Sequence, residues 1–400
     1  MSAQVMAADE DTPNYSPTVG GPYFQALQRL RLTDENLEYY KRRVYLACCV
    51  TWVPLFVLSL IDRSSSTWSG GVPFLRDVDL HVRLLIVLPV LVLAEVVVHR
   101  RIRPLVKRFV DRRIISEADM PKFMSAVDSA VNARNSKILE FSLIFVVYTA
   151  GIWVWHNQIA LNTATWYAIP SGDHLRLTLP GYWLEFVSVP IVQFTLLRWY
   201  ARLCIWFWLL WKISRLNLQL IATHPDGVAG IGFLGASAFA FAPILFAQGC
   251  LLSGAIADRV LFNKESVMSF KQEAIALILF MVTFILVPLF MFAPKLEEAK
   301  RKCAAEYGLL SSKYVRRFDR KWIRENTADT DELLGTSDIQ SLADLNNSFA
   351  VVRGMRIAPI GGRDILILVI STAAPFVPLG LFLMPLDELI KKIFHLLFRI

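Results

Sequence analysis

Polar side chains recur along one apolar segment at spacings that place them on a single face of a helix. Glu185, Ser188, Thr195 and Arg202 follow one another at intervals of three, seven and seven residues. At about 1.5 Å per residue this stripe is about 25 Å long, close to the thickness of a hydrocarbon layer. These residues are therefore candidates for lining a solute or ion pathway. The alternative is hydrogen bonding between helices, with the two charged residues at the water boundaries.

Two glutamates interrupt other apolar segments. Glu95 and Glu140 each lie within about one helical turn, or about 5 Å, of the end of a segment. An ionisable group in hydrocarbon costs several kcal/mol and often has a function. We expect each to reach water or to pair with Arg100 or Lys137, and the alternative is that both form an ion-binding mouth on the cytoplasmic side.

A turn and a glycine-rich stretch precede the fifth apolar segment. His224 and Asp226 belong to the turn, and Gly230, Gly232 and Gly235 match the spacing of a dinucleotide-binding loop. That fingerprint needs a preceding strand and a soluble helix, and neither is expected here. The exposed amides of a helix N-terminus favour an anion or a lipid headgroup. The alternative is that the aspartate caps the helix and the glycines allow close packing.

The sequence gives no basis for a conventional enzyme. It has no phosphate-binding loop, no nucleophile elbow and no zinc-protease motif, and its six histidines lack metal-ligand spacing. Its five cysteines form no C-x-x-C pair. We therefore predict no catalytic residue, metal, cofactor, structural zinc or disulfide, while a membrane enzyme with a motif of its own stays an alternative.

The elements that would carry these residues are membrane helices. Of the 400 residues, 55% are hydrophobic and only 19% are charged, which is unusual for a soluble domain. Runs of about 18 apolar residues can cross a bilayer as helices. The sequence predicts an all-α polytopic membrane protein with six or seven transmembrane helices over Val44–Ile61, Leu84–Val98, Ile138–Trp155, Tyr182–Leu197, Ile231–Ala257, Ala274–Pro294 and Ile365–Leu386.

The basic residues predict the orientation. Of the 42 Lys and Arg residues, 32 fall in four connections that share one side if the N-terminus is cytoplasmic. The net charge of +8 therefore follows topology, and we predict no nucleic-acid partner. Three further basic residues follow the last apolar run, and a full crossing would place them on the external side, against this pattern. The run therefore either crosses fully, which we favour, or turns back at its prolines. The tail 387–400 is expected to form an amphipathic interfacial helix.

The connections have distinct predicted structures. The cytoplasmic segments are 1–43, the basic connection 99–137, the helix and turn 198–230, and the helical region 295–364. In the last of these, helices around Tyr307–Trp322 and from a capping box at Ser337 to Gly354 could pack as a hairpin. The external loop 157–180 is expected to form a strand hairpin, and the tryptophans after Arg198 an interfacial anchor. The predicted units between them are the hairpin 44–98, the pair 138–197, the pair 231–294 and the segment 365–386.

Three stretches carry a resemblance. HPDGVAGIGFLG, LLGTSDIQSLADLNNSFAVVRGMR and MPLDELIKKIFHLLF resemble segments of uncharacterised bacterial polytopic membrane proteins. The resemblance implies an inner-membrane location and assigns a role to no residue.

Three function hypotheses follow. The leading one is a channel or transporter for small ions or solutes, in contact with the lipid bilayer and forming a homo-oligomer. The second is a membrane-anchored scaffold or sensor whose helices in 295–354 bind a cytoplasmic protein. The third is a lipid-active enzyme that holds a headgroup at His224, Asp226 and the glycines.

Overall fold

A computed structural model describes residues 15–62, 73–154, 165–171, 174–324 and 337–382. The first fourteen residues, the loop 325–336 and the predicted amphipathic tail 387–400 lie outside this part of the chain. The helices of the described residues are α1 (Pro22–Arg29), α2 (Tyr40–Ile61), α3 (Val78–Asp111), α4 (Met120–Arg134), α5 (Lys137–Val154), α6 (residues 179–214), α7 (Gly232–Phe262), α8 (Val267–Phe290), α9 (Ala293–Asp319), α10 (Ser337–Gly354) and α11 (Gly362–Phe382).

Six of these helices are long and apolar enough to cross a membrane: α2, α3, α5, α7, α8 and α11. They present large apolar side chains outward, including Phe145 at 69% and Phe280 at 60% exposure. In water such a surface would be unstable, whereas in a bilayer it contacts hydrocarbon. The prediction of a polytopic helical bundle is confirmed, and the chain is a multi-pass membrane protein.

Helix α6 packs beside these six helices. It joins Leu179–Trp183, a π turn over Leu184–Ser188 and the regular helix Val189–Ser214. Glu185, Arg198 and Arg202 break its apolar run, which is why it is less hydrophobic than its neighbours. Because Glu185, Arg198 and Arg202 are buried, one face of α6 must contact protein along most of its length.

The four basic connections meet at one end of the bundle, called the basic end below. There Gln219 N donates to Ile114 O at 2.7 Å, and Arg356 N donates to Gly227 O at 2.9 Å. At the opposite end, Leu179 N donates to Asp62 at 3.1 Å. Helix α6 therefore extends from one end of the bundle to the other.

The largest hydrophobic core lies towards the basic end. Helix α4 buries Phe123 and Val127 against α6, and the N-terminal segment adds Tyr15, whose ring stacks on Trp206 at a centroid distance of 6.0 Å. Helix α4, which lies in the basic connection 99–137, thus packs its apolar face into the protein. Residues outside the membrane helices contribute a large part of the core.

Helices α7 and α11 approach unusually closely. A Cβ added at Gly249 would lie 2.3 Å from the Thr372 carbonyl oxygen, and one at Gly235 would lie 2.9 Å from the Pro359 carbonyl oxygen. Near the opposite end, Leu379 of α11 packs with Ile256 of α7. The small residues therefore let α11 follow α7 between the two ends of the bundle.

Helices α9 and α10 form the hairpin that their apolar spacing predicts. Tyr314 Oη donates to Asp338 O at 2.9 Å, and Lys321 Nζ and Trp322 Nε1 each donate to Asp338 Oδ2 at 3.1 Å. Within α10, Gln340 Nε2 donates to Asp344 Oδ1 at 3.0 Å, while the capping box at Ser337 stays a prediction. The Asp344 carboxylate, one turn further towards the C-terminus of α10, accepts this hydrogen bond.

A short antiparallel hairpin lies at the opposite end, where the external loop is predicted. Strand β1 (Ala168–Ser171) pairs with β2 (His174–Leu177). The buried Trp166, just before β1, donates from Nε1 to Asp77 Oδ2 at 2.8 Å. The hairpin is therefore fixed to the start of α3.

Candidate functional site

Five charged residues from four helices converge in the bundle near the basic end. They are Arg43, Glu95, Glu140, Arg198 and Arg202, called the charge cluster below, and none of them is more than 7% exposed. They lie on α2, α3, α5 and α6. Charged groups are rarely buried inside membrane helices, so this cluster is the first candidate for a functional site.

Glu95 is the centre of the cluster. Its Oε1 accepts from Arg202 Nη1 at 2.8 Å and from Arg198 Nη1 at 3.2 Å, and its Oε2 accepts from Arg43 Nη2. Three guanidinium groups around one carboxylate hold its charged form by charge-assisted hydrogen bonds. The carboxylate in turn fixes the positions of all three arginines.

Glu140 lies at the edge of the cluster. Its Oε1 is 3.3 Å from Arg198 Nε, and its Oε2 accepts from the Tyr23 backbone N–H at 2.6 Å. Tyr23 is in the first turn of α1, where free amides and the helix dipole favour a carboxylate. The N-terminal helix is thereby attached to the charge cluster.

The chain reaches this position through Gly20 and Gly21. Both have positive φ values, of 127° and 91°, and a Cβ on Gly21 would lie 2.8 Å from Glu140 Oε1. Another residue type would be strained here and would push the carboxylate away. Just before them, the Thr18 carbonyl accepts from Arg202 Nη2 at 3.0 Å. The N-terminal segment therefore covers the cluster.

The expected partners of the two glutamates are wrong. Arg100 and Lys137 are exposed, and the ion pairs of Glu95 and Glu140 are made by arginines of other helices. Pairing across helices gives the buried carboxylates buried guanidinium groups as partners. Arg100 and Lys137 lie on the same helices as the two glutamates, but their side chains are exposed and do not provide such partners.

The cluster has more positive than negative charge. Three arginines oppose two glutamates, which leaves a formal surplus of +1. In addition, Arg43 Nη1 is buried and makes no hydrogen bond of ordinary length among the described residues, with the Tyr23 side chain as its polar neighbour. A buried donor without an acceptor is costly, so this nitrogen is available to bind an acceptor.

A groove of about 620 Å³ adjoins the cluster. All five cluster residues line it, and the rest of its wall is mostly apolar, with Leu46 and Val50 from α2, Val92 from α3, and Ile144 from α5. Pro22 and Leu27 of α1 form its edge at the basic end. The volume is in the usual range for small-molecule sites.

Three helices around the groove contain π turns. These are Val82–Val87 in α3, Val147–Gly151 in α5 and Leu184–Ser188 in α6. A π turn inserts an extra residue in a helix and is frequent at functional sites. Val147 and Tyr148 of the second π turn line the groove themselves.

The predicted stripe on α6 has mixed surroundings. Arg202 belongs to the charge cluster and Thr195 lines the groove, although the Thr195 hydroxyl donates to Ile191 O at 2.7 Å in its own helix. Ser188 is buried and donates to Thr51 O at 2.8 Å, a bond between helices. Glu185 is buried in the π turn. Only the half of the stripe nearer the basic end reaches the groove.

The predicted anion site after α6 is occupied by a side chain. Asp226 accepts from the amides of Val228, Gly230 and Gly232 at 2.8, 3.1 and 2.9 Å, and His224 Nδ1 is 3.0 Å from Asp226 Oδ1. Burial by itself raises the pKa of Asp226, but these amides and His224 outweigh it and hold the pKa below its usual value. The amides that an external anion would need are already bonded. Gly235 faces Pro359 instead.

No protein-family model, curated protein or solved structure matches the chain. The function therefore has to be argued from the site itself. In the part of the chain that the structure describes, no group of three His, Cys, Asp or Glu side chains is placed to hold a metal ion.

Sequence reasoning missed two of the cluster residues, Arg43 and Arg198. Both stand at the ends of apolar segments, where an arginine is usually attributed to the positive-inside pattern.

The tryptophans after Arg198 are also only partly the anchor we expect. Trp208 and Trp211 are exposed, whereas Trp199 is buried and donates to Leu91 O at 3.1 Å. A regular helix turns one face of such a segment inward.

Proposed function

We propose that this protein is a membrane transporter for a small solute that carries an anionic group. The observation that supports it most strongly is the groove, which ends at a buried cluster with a surplus positive charge and one unpartnered guanidinium nitrogen, on Arg43. A solute with one negative charge would neutralise the surplus and supply the missing acceptor.

A purely structural role explains the cluster less well. Burying five charges costs several kcal/mol per ion, and apolar residues of similar volume often stabilise a protein as well or better. A structural network would also be expected to satisfy every donor, as buried polar groups generally do. A buried guanidinium nitrogen available beside a groove suits a binding site for an anion.

The helix irregularities support movement as well as binding. Each π turn lies in a helix that contributes to the groove wall, and Pro190 of α6 lines it directly. Prolines and π turns interrupt the regular hydrogen-bond ladder, so these helices can bend without losing many bonds. A transporter needs such changes to expose a site alternately to the two sides.

The location that fits this proposal is the inner membrane of a bacterium, with the N-terminus and the basic end in the cytoplasm. The concentration of Lys and Arg in the connections at the basic end supports this orientation. The charge cluster then lies near the cytoplasmic boundary of the membrane.

The test is flux into liposomes that contain the purified protein. Alkylsulfonates are suitable probes because they stay charged at working pH and do not cross a bilayer in a neutral form. Uptake of radiolabelled chloride, methanesulfonate and decanesulfonate is measured, with albumin washes to remove decanesulfonate from the outer leaflet. We expect at least one probe to enter faster than into protein-free liposomes.

Matched variants make the test specific. Arg43→Gln should reduce the protein-dependent uptake, whereas Arg42→Gln, which changes the exposed neighbouring arginine, should not. The proposal is wrong if the folded wild-type protein moves none of the three probes, or if both variants transport as well as the wild type.

The scaffold hypothesis stays a prediction. Helices α9 and α10 leave Leu310 and Ile339 exposed, and excising the hairpin would test whether a cytoplasmic partner depends on it. For the lipid-active enzyme, the bonded amides around Asp226 remove the support that the glycines offered.

A further inference from the structure

The groove is charged at one end and apolar along the rest of its length. Its five charged lining residues all belong to the charge cluster. Beyond them, the wall is formed by side chains such as Val50, Val92 and Ile144. A ligand complementary to this wall has one charged end and one hydrocarbon part.

The groove is about as deep as one leaflet of a bilayer. From Arg43 to Val50 the wall extends over seven residues, about 10 Å, and from Arg202 to Pro190 over twelve residues, about 18 Å. Half of a hydrocarbon layer is about 15 Å thick. Arg43 is three residues from the start of α2, about 5 Å, so the charged end is near the membrane boundary. The groove therefore has the same order of polar and apolar parts as a lipid in one leaflet.

The side of the groove is accessible from the lipid. Helix α2 packs on α3, and α5 packs on α6. Between α2 and α5 the lining residues Leu46 and Phe141 are 45% and 66% exposed. Helix α1 lies across the charged end, where a water-soluble ligand would otherwise enter. Lateral entry from the bilayer is thus the more open route.

The size of the groove suits an amphiphile. Its volume of about 620 Å³ is many times the roughly 30 Å³ that one water-sized group occupies, so a head and one alkyl chain have room in it. The surplus of one positive charge matches a single anionic head.

We propose that the groove binds an acidic single-chain amphiphile taken from the bilayer, with a carboxylate or phosphate head at Arg43 and its chain along α2 and α5. The proposal rests on the proposed function, because it names the class of solute that the charge cluster receives. The shared chemistry of the head is a singly charged oxyanion, supplied by a free fatty acid or by a lysophospholipid.

Photolabelling of the full chain in lipid nanodiscs tests this. The probe is a sixteen-carbon alkylsulfonate with a diazirine midway along its chain and a terminal alkyne, and adducts are located by peptide mass spectrometry. We expect adducts on groove residues such as Val50, Ile144 and Tyr148. Palmitate or lysophosphatidylglycerol, each with one negative charge, should displace the probe, and the one that does so at lower concentration identifies the head. Hexadecanol, which lacks the charge, and methanesulfonate, which lacks the chain, should both need at least a hundredfold more.

Variants separate the head from the chain. Arg43→Gln should lower groove labelling tenfold or more, because a charge-assisted hydrogen bond is lost, and Arg42→Gln should leave it unchanged. Should Arg43→Gln fail to fold, Ile144→Trp fills the apolar part and leaves the charge cluster intact, and it should also abolish groove labelling.

The outcomes distinguish the two proposals. Adducts spread evenly over lipid-facing helices, or equal competition by hexadecanol, would overturn the amphiphile site. If Arg43-dependent uptake of methanesulfonate is still found, transport of a small anion stands and only the amphiphile is wrong. Specific groove labelling without any uptake would instead retain the site and reject the transporter.

Discussion

Replacing Glu95 by Gln should be among the most destabilising single changes in the protein. The carboxylate bonds three buried guanidinium groups, and Gln offers one neutral oxygen in its place. The formal charge of the cluster rises from +1 to +2. Removing one partner from a buried ion pair typically costs about 3–5 kcal/mol, and we expect a loss in this range.

The free energy of unfolding is measured by SDS titration in mixed micelles, followed by tryptophan fluorescence. Trp199 is a suitable reporter because the Arg202 Cζ is 5.1 Å from its ring centroid. Adding Arg43→Gln to Glu95→Gln restores the charge of +1 and should recover at least about 1 kcal/mol, since residues in one network are not additive. Glu273→Gln, at an exposed site of α8, is the control and should stay within about 0.5 kcal/mol of the wild type. A loss below about 1 kcal/mol for Glu95→Gln, or strict additivity in the double variant, would refute the reasoning.

Two further predictions concern other parts of the chain. Gly249→Ala should lower the free energy of unfolding by about 1–3 kcal/mol because its Cβ would collide with the Thr372 carbonyl. In contrast, Gly308→Ala, with nothing within 4 Å of the new Cβ, should be neutral or stabilise α9 by up to about 1 kcal/mol. Equal unfolding midpoints of the two variants would contradict this prediction. Asp226→Asn should destabilise the protein by about 1–3 kcal/mol at pH 7, because bonded amides lose their charged acceptor. Since the pKa of Asp226 is lowered in the folded state, its contribution is complete above the usual carboxyl value of about 4 and is lost as the pH falls. The two proteins should therefore converge in stability towards pH 3, and a difference that stays constant with pH would contradict the assignment.

Much of the fold could be predicted because membrane helices are defined by local properties. The apolar run from Val44 to Ile61 is observed as α2, Tyr40–Ile61, and the hairpin of α9 and α10 follows from the spacing of Tyr314 and Trp322. Length, hydropathy and periodicity are read from contiguous residues, so a single sequence is sufficient.

The charge cluster could be predicted only in part. Glu95, Glu140 and Arg202 attract attention because they interrupt apolar runs, but their partners are remote in the chain. Arg43 is 52 residues from Glu95, and Arg198 is 103 residues from it. Which charges meet is decided by the packing of four helices, and no local pattern in the sequence records that choice. The groove could not be predicted for the same reason, because its lining residues come from several helices that are remote in the chain.

The pairing of Arg43 with Glu95 has a consequence for biosynthesis. Both residues belong to α2 and α3, the first two candidate membrane helices, which leave the ribosome and enter the membrane well before α6 is made. A lone glutamate in hydrocarbon would oppose insertion, whereas a glutamate already matched to an arginine of the same helical pair enters as a neutral unit. Arg198 and Arg202 join only after about a hundred more residues have been translated. The early partner thus lowers the barrier to insertion, and the later ones convert a neutral pair into a site with net positive charge.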